Sequence, residues 1–132
     1  MITNKQNISV RELDFKIKNK NKKKIITEKV LHNLIHEDIE YFMKELGSSF
    51  SFIGSEYKIK IGDNYHKIDL LLFNIKYNSY VVVELKITEF KAEYIFQVQK
   101  YMNYIDKHIK EINNNSTIGI IIYCYQNILI RI

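Results

Sequence analysis

Two of the most apolar stretches in the sequence contain charges that a buried strand does not need. Asp69 opens the run Asp69-Leu70-Leu71-Leu72-Phe73, and Glu84 and Lys86 directly follow Val81-Val82-Val83. In a strand the side chains alternate between faces, so Glu84 and Lys86 share one face and Leu85 takes the other. A carboxylate placed there costs several kcal/mol unless it is paired or bound to a cation. Two arrangements satisfy it. In the simpler one, Lys86 forms an ion pair with Glu84 or Asp69 at a strand end open to water. In the other, Asp69 reaches the face of Glu84 from the preceding strand. Two neighbouring carboxylates repel unless a proton or a divalent cation lies between them. Hard oxygen donors of this kind suit Mg²⁺ or Mn²⁺, which polarise a phosphate and acidify a water.

The elements that must position these residues follow from hydrophobic periodicity. Leu31, Leu34, Ile35, Ile39, Phe42 and Leu46 recur at steps of three and four, which predicts a helix from about Thr27 to Leu46, capped by Thr27 and stopped by Gly47. Three extended runs come next: Phe50 to Ile61, Lys67 to Ile75 and Tyr80 to Ile87. Turns at Gly62-Asp63-Asn64 and Tyr77-Asn78-Ser79 separate them. The last two runs are too apolar for strands with one wet face. Ile95, Val98, Met102, Ile105, Ile109 and Ile112 predict a second helix from Ala92 to Ile112. Strands at Thr117 to Tyr123 and Ile128 to Ile132 complete the order. Helix, three strands, helix and strands read as a mixed sheet of four or five strands flanked by helices.

Composition sets the outer limits. The chain has 132 residues, the size of one domain, with 46% hydrophobic and 27% charged residues. That balance excludes disorder for the bulk of the chain. There is no apolar run of membrane-spanning length and no signal-peptide pattern at the start. With a single cysteine, Cys124, these features lead to the expectation of a cytoplasmic protein without disulfides. Cys124 lies in an apolar strand and reads as core. The formal charge of +5 favours a polyanionic partner, although the Lys-, Asn- and Ile-rich composition of an AT-rich genome supplies some of that excess. Residues 1–26 read as a lysine-rich arm and 27–132 as the folded domain. Lys16, Lys18, Lys20, Lys22, Lys23 and Lys24 either contact phosphates or form a solvated surface.

Taken together, Asp69 with the run after it and Val83-Glu84-Leu85-Lys86 resemble the D…(D/E)-x-K signature of the PD-(D/E)XK nuclease superfamily. The flanks are similar to its YhcG-type branch: Glu45-Leu46-Gly47 with Phe50, the helix carrying Gln97 and Tyr101, and Thr117-Ile118-Gly119-Ile120-Ile121. The resemblance spans about Thr27 to Ile132. Ala92 and Phe96 depart from it, standing where the branch has Pro and Gly. It implies a restriction-endonuclease-like three-layer α/β core and Mg²⁺- or Mn²⁺-dependent cleavage of DNA. Asp69, Glu84, Lys86, Gln97 and Tyr101 would form the active site.

The superfamily also uses a first-helix glutamate. On a helix drawn at 100° per residue, Glu28, Asp38 and Glu45 point toward or beside the apolar stripe, and Glu40 faces out. Asp69 lies about 20–25 Å along the strand from Phe50, a height that favours Glu28 as a third metal ligand. A favourable charge near the helix dipole explains Glu28 equally well. An ungapped match instead puts the position at His32. The four histidines show no zinc spacing with cysteine. Two other functions fit the same core, a Holliday-junction resolvase and a non-catalytic DNA-binding subunit. The small size points to a homodimer or a separate recognition chain, with no membrane association.

Overall fold

The computed structural model describes residues 2–3, 7–12, 28–37 and 39–123. It has three layers. Between two helical layers lies a six-stranded mixed sheet of order β1-β2-β6-β5-β4-β3. The strands are β1 (Ile2–Thr3), β2 (Ile8–Glu12), β3 (Phe50–Ile61), β4 (Asn64–Asn74), β5 (Ser79–Lys86) and β6 (Ile118–Tyr123). The helices are α1 (Glu28–Glu37), α2 (Ile39–Leu46) and α3 (Glu93–His108).

The apolar triplets predict the centre of the sheet. Val81 and Val83 of β5 pack with Ile35, Phe42 and Leu46 of α1 and α2, whereas Val82 packs with Val98, Tyr101 and Met102 of α3. Ile120, Ile121 and Ile122 of β6 alternate in the same way. Both faces of these strands are covered, as expected where a helix crosses between parallel neighbours. β5 and β6 are that parallel pair, with Val83 beside Ile120, and α3 is their connection. α3 sits close to the sheet because β6 carries Gly119. A Cβ there would meet Met102 Sδ and Val98 Cγ1 at 2.7 Å.

Several expectations need correction. The stretch read as one helix is described as two, α1 ending at Glu37 and α2 beginning at Ile39. α3 ends at His108, so Ile112 lies beyond it and is 98% exposed instead of closing the apolar stripe. The sheet has six strands, because part of the stretch read as an arm belongs to it. β2 runs parallel to β6, with Ile8 beside Gly119, and buries Ile8 and Val10 against the α3 side of the core. Its sequence, Ile-Ser-Val-Arg-Glu, alternates weakly, and its nearby partner β1 is only two residues long. Arg11 ties it to α2, donating from Nη1 to the Leu46 carbonyl at 2.8 Å. Lys16, Lys18, Lys20, Lys22, Lys23, Lys24, the Thr27 cap, Asp38, Cys124 and the expected strand from Ile128 to Ile132 lie outside the described residues.

Other features match. Gly47 ends α2 at φ +143°, its N–H bonded to the Met43 carbonyl. Gly62 turns the β3–β4 hairpin at φ +62°, a left-handed conformation that glycine adopts without strain. Among the described residues, no helix is long and apolar enough to cross a membrane.

Candidate active site

β4 and β5 form a regular antiparallel ladder from Asn74–Ser79 to Leu70–Val83. Continued one step further, the ladder would pair Asp69 with Glu84. Instead it stops, and side chains replace its next hydrogen bonds. The Asp69 N–H donates to Glu84 Oε2 at 2.9 Å, and the Leu85 N–H donates to Asp69 Oδ2 at 2.7 Å. The two strands part here, and each carboxylate spans the gap to the other's backbone.

A local change of phase makes this possible. Leu71 packs on the α3 side and Leu70 and Leu72 on the other, yet Ile68 also packs on the α3 side. Strict alternation from Leu71 would have sent Ile68 the opposite way, so β4 slips by one residue around Asp69. In β3, the facing residue is Glu56, flanked by the pairs Ser55–Leu70 and Tyr57–Ile68, and its φ of +47° is unusual for a non-glycine residue.

Glu84 is 2% exposed. Besides the Asp69 N–H, it faces Lys86, whose Nζ is 4.0 Å from Oε1. Leu85 packs on the opposite side of the sheet, as the alternation predicts. Lys86 Nζ also lies 5.0 Å from the centre of the Tyr94 ring, a cation–π contact that helps fix the ammonium. Tyr94 in turn bonds the Thr88 hydroxyl. Sequence reasoning assigned Tyr94 no role. The signal was present, because Tyr94, Gln97 and Tyr101 recur at i, i+3 and i+7 on one face of α3.

Gln97 donates from Nε2 to the Tyr101 hydroxyl at 3.2 Å. Tyr101 is buried, and its ring lies 5.8 Å from that of His66. Burial raises its pKa above the usual tyrosine value. The Gln97 hydrogen bond works against that rise, and the negative charges of Glu84 and Asp69 add to it. The phenol is thereby held neutral beside the acid pair.

On the other side of the gap, α1 brings His32 to the acids, with Nε2 3.6 Å from Asp69 Oδ1. Glu28 is the first residue of α1, one turn earlier, and its side chain lies outside the described set. Asp69, Glu84, Lys86, Gln97 and Tyr101 are therefore brought together, and His32 is the α1 residue seen beside them. Among the described residues, no three His, Cys, Asp or Glu side chains form a ready-made cage. Mg²⁺ does not need one, since one or two carboxylates with water and substrate phosphate usually hold it. Two carboxylates at a strand gap fit that donor set.

A cavity of about 760 Å³ lies at the other end of β5. Its lining includes Arg11 and Lys76 but no acid, so it offers no counterpart to the acid pair.

A strand pair parting around two crossing carboxylates, with a lysine two residues on and Gln and Tyr on the helix beside it, defines a domain of the PD-(D/E)XK nuclease class. The family model described as "YhcG PDDEXK nuclease domain" matches residues 5–130, and the chain belongs to that family. The match takes in β2 as well as the elements from α1 onward. The chain is also 33% identical over 81 residues to a protein of Escherichia coli (strain K12) named "Putative nuclease YhcG". The alignment covers 61% of this chain and 22% of that relative, so the chain spans only about a fifth of the relative's length. No solved structure is a significant match. PD-(D/E)XK nucleases generally use divalent metal ions.

Proposed function

We propose that the chain is a DNA endonuclease that hydrolyses phosphodiester bonds with Mg²⁺ or Mn²⁺ held by Asp69 and Glu84. The observation that carries this reading is the crossed pair itself: two carboxylates placed in an apolar sheet where its ladder opens, with Lys86 alongside. When bound, the cation polarises a phosphate and lowers the pKa of a water. Each carboxylate is oriented by the backbone N–H it accepts, which lessens the reorganisation needed to present its other oxygen. Lys86, steadied between Glu84 and Tyr94, offers N–H donors to the attacking water and to charge developing on the phosphate. Tyr101, kept neutral, and Gln97, bonded to it, maintain the polar wall on the α3 side.

Nucleic acid as the substrate is supported by a second cavity of about 310 Å³ beside α3, whose lining includes Lys60, Lys100, Tyr104, Lys107 and His108. The Tyr104 and His108 rings lie 4.6 Å apart. Tyr104, Lys107 and His108 follow Tyr101 on α3 by one to two helical turns, about 5–10 Å, roughly two or three nucleotides of a strand. Lysines interleaved with aromatic rings suit a phosphate backbone with bases nearby. Lys16, Lys18, Lys20, Lys22, Lys23 and Lys24 remain proposed contacts on the same grounds of charge. A homodimer or a separate recognition chain belongs to the proposal, because one site cuts one strand.

The test is cleavage of supercoiled plasmid, linear duplex and four-way junctions with Mg²⁺, Mn²⁺ or a chelator. Nicking that requires the ion is expected. Preference for junctions would favour the resolvase, and binding without cleavage in every condition would favour the non-catalytic subunit.

A further inference from the structure

The β3–β4 hairpin carries a second cluster, beyond the acid pair toward the Gly62 turn. Tyr57, Ile59 and Ile68 pack on the α3 side of the core, so alternation sends Lys58, Lys60, Tyr65 and Lys67 to the opposite face, where all four are exposed. Lys58 stands directly across from Lys67, and Lys60 directly across from Tyr65. The ammoniums of Lys58 and Lys60 lie 5.1 and 5.4 Å from the centre of the Tyr65 ring. Glu56 Oε1 is 3.9 Å from Lys67 Nζ, an exposed ion pair that offsets one of the three charges weakly. Like charges directly opposite on a ribbon are destabilising, and a ring that attracts two ammoniums also holds them near each other. An anion bound among them relieves that repulsion.

We propose that Lys58, Lys60 and Lys67 form a clamp for DNA backbone phosphates on one side of the cut, with Tyr65 as the platform that aims two of them. The clamp rests on the proposed reading of Asp69 and Glu84 as the cleavage site and adds the path of the strand beyond it. Lys67 and Tyr65 precede Asp69 by two and four residues on β4. That places them about 7 and 13 Å along the strand, a span of roughly two to four nucleotides. α3 backs the other face of the hairpin, so the lysines stand on a supported ribbon instead of a free loop. Ammoniums that meet phosphates read no bases, so the clamp sets position and affinity and not sequence.

The experiment is binding of a labelled DNA duplex by the full chain in chelator across a salt series, then cleavage in Mn²⁺ of duplexes with one neutral methylphosphonate at successive positions. Lys58→Ala with Lys60→Ala should flatten the slope of log K against log salt by nearly two contacts, about 1.8 in all. Lys58→Arg with Lys60→Arg should keep the slope, which shows that charge and not local folding decides it. Tyr65→Phe should bind as the wild type does, and Tyr65→Leu about 2–5-fold more weakly. A methylphosphonate within the span from Lys67 to Tyr65 should slow the wild type and not the double Ala variant, and interference at other phosphates only would overturn the placement. An unchanged slope in the double Ala variant, the outcome if these lysines meet only solvent or an acidic protein, would overturn the clamp and leave the acid pair standing. The expected slopes without cleavage would keep these lysines as a phosphate site and overturn the nuclease reading. No DNA binding by the wild type would overturn both.

Discussion

Asp69 and Glu84 each accept a hydrogen bond from the other's strand, at 2.9 Å from the Asp69 N–H and 2.7 Å from the Leu85 N–H. The reciprocity makes the acids part of the sheet as well as of the site. Glu84→Gln keeps an acceptor for the Asp69 N–H and removes the charge, and Asp69→Asn does the same for Leu85. Both variants should fold, bind Mn²⁺ weakly and lose about 10²–10³ or more in cleavage rate. Circular dichroism, metal titration and plasmid nicking check this. A Glu84→Gln protein that cleaves at the wild-type rate would remove the acid pair from the chemistry.

Lys86→Ala should also lose about 10²–10³ in cleavage rate with little change in metal affinity, because its ammonium is aimed by Glu84 and Tyr94 and need not touch the ion. Tyr94→Leu keeps the packing bulk but releases the ammonium, and its loss should be smaller. Single-turnover rates at saturating Mg²⁺ separate the two. Equal rates in Lys86→Ala and the wild type contradict the assignment.

Gly119→Ala is a packing test on β6, two residues along from the Ile121 that pairs with Glu84. The added Cβ would lie 2.7 Å from Met102 Sδ and Val98 Cγ1 and 3.2 Å from Ile8 Cγ1. Methionine can yield, but a branched valine cannot, so a loss of about 1–3 kcal/mol is expected in urea melts. An unchanged midpoint would mean that α3 sits farther from β6 than described.

Tyr101 gives a pH prediction for metal-free protein. Its folded pKa is raised by burial and the nearby acids, so above about pH 10 the unfolded chain loses the phenolic proton while the folded chain keeps it. The unfolded state then binds fewer protons, and stability falls as pH rises from about 10 toward the folded value. Tyr101→Phe lacks that loss. Denaturant melts from pH 8 to 11 should show the wild type declining more steeply than Tyr101→Phe, and parallel declines would contradict it.

Salt dependence of DNA binding distinguishes two sets of lysines. Each phosphate contact contributes about −0.9 to the slope of log K against log salt. Lys100→Ala with Lys107→Ala should therefore flatten the slope by nearly two contacts if the cavity beside α3 holds backbone. For the Lys16–Lys24 cluster, substitution to Ser is the usable variant, because cutting away residues 1–24 would also remove β2 and its buried Ile8 and Val10. No change in slope for either set would place the nucleic acid elsewhere.

The parts of the fold that were legible in the sequence were those whose signal is local. Three successive valines, the leucines at 70–72, the period of α3 and the glycines at 47 and 62 each carry their own explanation. β2 was not legible because its local partner β1 is two residues long and the longer pairing, with β6, comes from about 110 residues away. The slip at Asp69 was hidden by leucines on both phases, which read the same whichever way they point. Asp69, Glu84 and Lys86 stood out because a charge in an apolar strand costs free energy. His32 did not, since a histidine on a helix face carries no comparable cost until the structure shows what it faces.

The pairing of β2 with β6 also bears on how the chain is made. Synthesis delivers Ile8 and Val10 about 110 residues before their β6 partner, so while α1 through α3 emerge from the ribosome β2 has the two-residue β1 to pair with but not the edge that seats it in the sheet. At about 5–20 residues per second, that interval lasts roughly 5–20 s. For the last roughly 2–6 s of it, between the end of β5 and the arrival of β6, β5 lacks its parallel neighbour and keeps one side of its ladder open, a surface that other nascent chains could pair with. Soluble yield in cells should therefore respond to translation speed and chaperone supply more strongly than the stability of the finished domain implies.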